Sequence, residues 1–579
     1  MELSHSLVDA VWRPKFLLEL DRGRLGDWLQ RSTYLTEPLS WEVSPLNPKN
    51  RVDSLDTVGS SWRVDGSTIC GTRFFAVPVS LLPDLPPLGI FVHVPDQTDF
   101  PPTLRSTLDA GASVPLRNGP DIASLAISQH ICRALSHQCV KDPSILQRYP
   151  KLPFGSELIF GRVAPDPADM SLDVVPNYDF ERKALSLDAL RRLWADIPVH
   201  DWPEEFDVSL LRFVRQIHDT VCLVIAPESH SSKLLVFKSA IGSVDHTYHE
   251  LRFLLTNPPH PHVMPRPVGI VTKRNAFGGK RGVVGFLLRY FPAGSLRDIL
   301  PARQQAGTLS DRLKVKWCRQ IVSAVIHIRE EAATFVSDLR PDNVLLDEHE
   351  DVVLCDFEQR GNWHEWCAPE VLFRQYAENI RANLHPGEAA SEAAAKYRRL
   401  LAGYAPPDLP ETPVQAANRP WFLLNPSSQD KAAVYSLGLL IYTVFEGLSN
   451  VRRNIANQWP IDPNVEFPVV RHTPATVMDL VRLCTDEAVE WSDKRDKGQR
   501  ARVVRRGDAL YPEGQVDLAR GTKSTAVAVL DTAYAWWSGE LARAVAFLET
   551  DEWRSQQFGP NRPSLRDVLR ALDELPEEL

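Results

Sequence analysis

The sequence predicts an α+β chain in which a strand-rich part precedes a helix-rich part, with a further domain ahead of both. Three observations predict this. Short apolar runs of strand length gather between about 206 and 290. Helical spacing of apolar residues then takes over from Asp311 to Arg329, and Val434 to Phe445 (VYSLGLLIYTVF) is apolar nearly all round, as in a helix buried on every side. Finally, 579 residues exceed what one core holds, so roughly three or four domains or lobes are expected.

Residues 1–205 form an N-terminal domain of unknown type. Its apolar runs are broken by proline. Phe74 to Leu82 (FFAVPVSLL) and Leu88 to Val94 (LGIFVHV) read as strands, and Ile122 to Leu135 as a helix. No chemistry-bearing motif stands out in this third. From Phe206 the texture changes. Phe206 to Ile225 and Lys233 to Ala240 read as strands, and a helix follows at His246 to Leu255. Val283 to Tyr290 (VVGFLLRY) is a strand ending at PAGS, and Val352 to Cys355 is a short one. Gly387 to Ala402 is alanine-rich and charged, which predicts an exposed inserted helix, and the prolines of Ala405 to Pro420 predict a loop. Lys494 to Arg506 holds seven Lys/Arg in thirteen positions. It reads as a solvated loop, with a docking patch for an acidic partner as the alternative.

Hydrophobic content of 44% and charged content of 24% are ordinary for a globular chain. A net charge of −9 argues against a coat for nucleic acid or an anionic membrane. The start, MELSHSLVDAVWRPKF, lacks the pattern of a secretory signal, and no run approaches a membrane span. Eight scattered cysteines without a C-x-x-C pair predict reduced thiols in a cytoplasmic or nuclear setting.

The chemistry concentrates in Phe335 to Arg360, FVSDLRPDNVLLDEHEDVVLCDFEQR. Phosphoryl transfer from ATP needs a carboxylate to orient the attacking hydroxyl, oxygen ligands for Mg²⁺ and a cation on the phosphates. SDLRPDN supplies Asp338 and Asn343, and the apolar strand VVLC then delivers Asp356 to a cleft rim. Asp and Asn oxygens suit Mg²⁺, a hard cation.

These residues carry a resemblance to the eukaryotic-type protein kinases. The family's catalytic loop, H-R-D-L-K-x-x-N, appears as V-S-D-L-R-P-D-N. Its metal motif D-F-G appears as Asp356-Phe357-Glu358, and A-P-E stands intact as Ala368-Pro369-Glu370. The chain also resembles divergent kinase-like proteins of filamentous fungi. The resemblance implies a bilobal fold, with an N-lobe over 206–292 and a C-lobe over 293–579 carrying insertions near 378–425 and 485–535. It implies that Lys238, after Val236-Phe237, is the lysine on the α/β-phosphates, although a surface lysine is the plain alternative. Glu250 in HTYHELRFLL is then its helix-borne partner. Leu288, Tyr290 and Phe291, in LLRYFPAGSL, match the hinge that meets adenine. Arg562, in Asn561-Arg562-Pro563-Ser564, would pair with Glu370. Asp338 and Arg340 would serve catalysis, and Asn343 and Asp356 would hold Mg²⁺.

The departures from the family are equally specific. No glycine occurs between Phe213 and Lys238, where the family's glycines let backbone N–H groups approach phosphates. Val336 and Ser337 replace the catalytic-loop His and Arg, and Ala433 replaces the Asp that braces them; Asp430, one turn upstream, could substitute but is not the expected brace. Arg340 stands for a lysine, keeping the charge in a planar fork. Glu358 replaces a glycine, as a salt-bridged or solvated side chain or as a further metal ligand. Trp363 stands where Ser/Thr kinases have a substrate-placing threonine. Asp356 to Glu370 contains no Ser, Thr or Tyr, so phosphorylation of that loop is not the expected switch. The resemblance thus implies an ATP- and Mg²⁺-dependent phosphotransferase acting on a hydroxyl, of a protein or less readily of a small molecule. The alternative is a pseudokinase acting as a scaffold. The N-terminal domain is the expected contact for a protein partner.

Overall fold

The computed structural model describes residues 11, 60–68, 71–96, 100, 113–116, 119–123, 125–227, 234–241, 243–275, 278–383, 401–402, 412–452, 465–491, 501–506, 509–513 and 526–576. It joins sheets and helices, as an α+β chain requires. Among the described residues no helix is long and apolar enough to cross a membrane, and all seven cysteines are free.

The first sheet begins with β1 (Trp62–Thr68), β2 (Arg73–Pro78) and β3 (Phe91–His93). A hairpin of β4 (Ser113–Leu116) and β5 (Gly119–Ala123) and the helix α1 (Leu125–Lys141) then lead to β6 (Glu157–Phe160) and β7 (Leu172–Val175). The strand order is β1-β2-β3-β6-β7, and β3 and β6 run parallel, which the long crossover through α1 permits. Phe74 to Val77 in β2 are buried on both faces. The strand expected to reach Leu82 stops at Pro78, which has no N–H to extend the ladder, and Val79–Leu81 form a 3₁₀ turn. The helix expected from Ile122 starts at Leu125, because Ile122 pairs with Val114.

Two short helices, α2 (Tyr178–Lys183) and α3 (Leu187–Leu193), connect to the second sheet. Asn177 and Ser186 cap them, accepting from Phe180 N and Ala189 N at 3.2 Å each. The second sheet comprises β8 (Glu204–Asp207), β9 (Arg212–His218), β10 (Val221–Ile225), β11 (Leu234–Ser239), β12 (Gly269–Arg274) and β13 (Arg281–Arg289), with the helix α4 (Val244–Thr256) between β11 and β12. Its order is β8-β12-β13-β11-β10-β9. All residues of β13 from Gly282 to Leu288 are buried, as the unbroken apolar run requires of a strand covered on both faces. Phe154, just ahead of β6, packs on Phe237 of β11 with the rings 6.2 Å apart.

Helices dominate from residue 296. These are α5 (Leu296–Ala306) and α6 (Asp311–Glu330), then the hairpin β14 (Val344–Leu346) and β15 (Val352–Leu354), then α7 (Pro369–Asn383), α8 (Pro413–Ala417), α9 (Arg419–Phe422), α10 (Pro426–Glu446) and α11 (Ala475–Cys484). The hairpin β16 (Val503–Arg506) and β17 (Ala509–Pro512) precedes α12 (Ala526–Phe547) and α13 (Leu565–Asp573). Every residue of α10 from Ala432 to Glu446 is buried, so this helix is the axis of the helical part.

Two expectations change here. The proline-rich loop at 405–420 ends in α8 and α9, where Pro413 and Pro420 sit in first turns that need no N–H and Thr412 forms a capping box with Gln415. The basic run ends in β16, with Val503 and Val504 buried and Arg502 paired to Glu466 and Glu513. The helix expected over 387–402 lies outside the described residues except 401–402, and there Leu401 is buried in a cluster with Phe373, Tyr376 and Trp537. Residues 494–500 of the basic run also lie outside the described residues.

Candidate functional site

Lys238 sits near the end of β11, facing Val221 of β10 and Phe286 of β13. It is 5% exposed. Its ammonium lies 2.6 Å from Glu250 Oε2, contacts Asp356 and lies 3.6 Å from Glu358 Oε1. Burial works against this charge, but Asp356, Glu250 and Glu358 outweigh it and hold the lysine pKa well above its ordinary value. The surface-lysine alternative is therefore excluded. Sequence reasoning missed a glycine behind this residue. A Cβ on Gly285, at φ +156°, would lie 2.1 Å from the Lys238 carbonyl oxygen, so only glycine lets β13 approach β11 here.

Glu250 projects from the buried face of α4 and is 1% exposed. Burial raises its carboxyl pKa, Lys238 opposes, and the charges of Asp356 and Glu358 add to the rise. Its Oε1 accepts from Phe357 N at 3.1 Å, and the Phe357 ring packs 4.3 Å from Phe253 of the same helix. Asp356 adopts φ +65°, which turns its carboxylate toward Lys238. Burial would raise the Asp356 pKa, but Lys238 and Arg340 lower it overall.

The pairing of Val344 with Leu354 sets Asn343 beside Cys355, whose N–H donates to Asn343 O at 3.0 Å. Asn343 Nδ2 donates to Asp338 O at 2.9 Å and to Asp338 Oδ2 at 3.0 Å. That commitment of its NH₂ leaves its amide oxygen as a cation donor. Arg340 Nε meets Asp338 Oδ1 at 2.9 Å and Arg340 Nη1 meets Asp342 Oδ2 at 3.2 Å. Burial pushes the Asp338 carboxyl up to about 6, with Arg340 opposing and the charges of Asp356 and Asp342 adding. Asp342, which also pairs with Arg297 at 3.1 Å, was not singled out from the sequence.

Of the three residues matched to a kinase hinge, Leu288 is buried in β13 opposite Val236, two positions along from the partner of Lys238. Tyr290 is half-buried, and Phe291 is buried with the Arg289 guanidinium 5.3 Å over its ring.

The departures have structural outcomes. His218 and Val221 pair across Asp219–Thr220, so β9 and β10 join by a tight turn and not a glycine loop. Gln216 Nε2 donates to His218 O at 2.6 Å and Asp219 O at 3.2 Å, and Ser239 N donates to Thr220 O at 2.7 Å. Asp430 does not replace the missing brace: it pairs with Arg329. Val336 and Ala433 line a small cleft, and the Ser337 hydroxyl is buried without a hydrogen-bond partner. Glu358 is salt-bridged, to Arg360 as well as Lys238. Its backbone is ordinary, and the positive φ values fall instead at Asp356 and Gln359.

The segment after Phe357 is tied down on all sides. Gln359 Nε2 donates to Phe335 O at 2.9 Å, and Asn418 Nδ2 donates to Gln359 O. Trp421 Nε1 donates to Asn362 Oδ1 at 2.6 Å, and Ser436 Oγ donates to Trp366 O at 2.8 Å. Trp363 lies under the Arg340 guanidinium at 4.5 Å. The segment ends at Glu370, which meets Arg562 as the sequence implies.

Glu250, Asp356 and Glu358 place carboxylate oxygens within 4.8 Å of one another, but the Lys238 ammonium already sits among them. The Asp356 side chain is 37% exposed, against 6% for Glu358 and 1% for Glu250. No protein-family model matches this sequence, and no curated protein matches it either.

Proposed function

We propose that residues 206–579 adopt a bilobal protein-kinase-like fold and transfer the γ-phosphoryl group of ATP to a hydroxyl. The observation that carries this reading is the convergence of Lys238, Glu250, Asp338, Asn343 and Asp356 on one site from four separate elements. Lys238, fixed by Glu250, binds the α/β-phosphates. Asp356 and Asn343 would hold Mg²⁺, which supplies charge neutralisation at the phosphate oxygens. Asp338 orients the acceptor hydroxyl and takes its proton as the new O–P bond forms. The bond from the γ-phosphorus to the bridging oxygen breaks, and ADP departs. Arg340 lies beside Asp338 and neutralises the moving phosphoryl group. Leu288, Tyr290 and Phe291 are assigned to the adenine. The Arg340-Pro341 pair favours a Ser or Thr side chain of a protein as acceptor over a small molecule.

One observation favours the scaffold reading instead. The Lys238 ammonium already has three carboxylates, so a nucleotide must compete for it. Phosphate transfer over a broad panel of protein and small-molecule acceptors separates the two. Asp356→Ala is expected to abolish Mg²⁺-dependent ATP binding. Asp338→Ala is expected to keep binding and lower transfer by on the order of 10²–10³. A wild type that binds no ATP at millimolar nucleotide and Mg²⁺ sinks the enzyme reading.

A further inference from the structure

The first third of the chain carries no motif, yet its packing gives it a task. β9 is an outer strand of the second sheet, so Val214 O and Gln216 N point away from the ladder. Both are taken by β1. Arg63 Nη2 donates to Val214 O at 2.7 Å, and Asp65 Oδ2 accepts from Gln216 N at 2.8 Å. Arg63 and Asp65 also bond each other at 2.6 Å and 3.1 Å, which fixes the pair as a fork. Nearby, Arg73 reaches Asp219 in the β9–β10 turn at 3.4 Å, and Phe213 N donates to Leu85 O at 2.9 Å. The same turn is bonded to Ser239, the residue after Lys238.

A second grip falls on α4, two residues before Glu250. Tyr248 Oη accepts from Leu185 N at 2.9 Å and donates to Val283 O at 2.9 Å, while Val283 N donates to Leu185 O at 2.8 Å. The Trp194 ring stands edge-on to Tyr248 at 6.4 Å, and Arg252 pairs with Asp196 at 3.1 Å. Contact is tight between these grips as well. Gly89, at φ +61°, comes so near Ile241 that a Cβ would lie 2.1 Å from its side chain.

We propose that the described residues of 60–202 are a built-in clasp, in which Asp65 holds the β9–β10 hairpin and Leu185 holds α4 through Tyr248, making Asp65 and Tyr248 positioning residues for the nucleotide. The clasp fixes by side-chain bonds a hairpin that has no glycine N–H groups to grip phosphate. It also fixes Glu250 without a phosphorylated loop. Its catalytic consequence rests on the phosphotransfer reading, whereas its mechanical part does not.

The test uses the full chain with Asp65→Ala, Asp65→Asn and Tyr248→Phe. Hydrogen exchange is followed by mass spectrometry, and an ATP analogue is titrated with Mg²⁺. Asp65→Ala removes a charge-assisted bond and is expected to speed exchange in 212–225 by about tenfold or more, with 434–446 unchanged. It is expected to raise KM for ATP roughly tenfold while sparing kcat. Asp65→Asn keeps an oxygen acceptor and restores most of both. Tyr248→Phe keeps the ring, speeds exchange in 244–256, and lowers kcat rather than raising KM. Unchanged exchange in these two windows overturns the clasp. Faster exchange with unaltered nucleotide kinetics overturns the positioning role. A wild type that binds no analogue fails the phosphotransfer reading instead, and the exchange data then decide the clasp alone.

Discussion

Glu370 and Arg562, 192 residues apart in the chain, meet at 2.7 Å with neither side chain exposed to solvent. Arg562 also contacts Glu487 and the Lys431 carbonyl, and its guanidinium lies 5.0 Å over the Tyr435 ring. One end of α7 is thereby fastened to the residues just before α13 and to α10.

Arg562→Ala leaves the Glu370 carboxylate buried and uncompensated. The expected loss is roughly 3–5 kcal/mol, because breaking a buried pair costs more than the pair itself contributes. Thermal melting checks this, and an unchanged midpoint would show that the pair carries no such weight. Glu370→Gln, which keeps the shape and removes the charge, is expected to lose less.

If Asp338 is the base of the proposed phosphotransfer, the reaction has an acid limb. Its carboxyl is pushed up to about 6 by burial, so it is protonated below that value and ionised above it. A base must be ionised, so kcat/KM is expected to rise as pH rises through about 6. Stability moves the opposite way. The raised value contributes stability in full below the carboxyl's unfolded value, and that contribution is lost as pH rises through about 6. A kcat/KM profile that is flat from pH 5 to pH 7 would contradict this assignment.

Glu358→Gln removes one of three carboxylates around Lys238 and keeps the side-chain volume. Less negative charge then opposes the incoming phosphates, and Lys238 is more easily released to them. Nucleotide affinity is expected to tighten roughly 3- to 10-fold, read by titration calorimetry. Weaker binding would instead assign Glu358 to holding the nucleotide's cation.

Gly285→Ala sets a Cβ against the Lys238 carbonyl oxygen. The β11–β13 pairing must open, at a cost of about 1–3 kcal/mol or more, and Lys238 must move with it. Reduced melting temperature together with lost nucleotide binding is the expected pair of results. Loss of neither would mean that the strands do not approach this closely in solution.

The residues legible in the sequence are those whose chemistry restricts type and spacing together. Asp338, Asn343 and Asp356 fall in one 26-residue stretch, and Lys238 ends an apolar strand that exposes its own logic. The long helices α6 and α10 were equally plain, because their apolar pattern runs for many turns. What stayed hidden is non-local. Asp65 and Gln216 are 151 residues apart and meet side chain to backbone, which leaves no periodicity to read. Gly285 lies inside a run read simply as a strand, and its need to be glycine comes from Lys238 across the ladder. Pro413 and Pro420 looked like breakers because proline marks loops and first helical turns alike. In the basic run, the arginines concealed two buried valines that belong to β16.

The Arg63–Asp65 fork has a further consequence, for how copies of this chain behave toward one another. An unpaired outer strand offers its N–H and C=O groups as a template on which a second molecule can add a strand. At β9 those groups, Val214 O and Gln216 N, are engaged by a charged pair that cannot itself be extended as a ladder. A second chain therefore finds those two groups already taken, and the side chains that hold β9 in place also mask it there as a template.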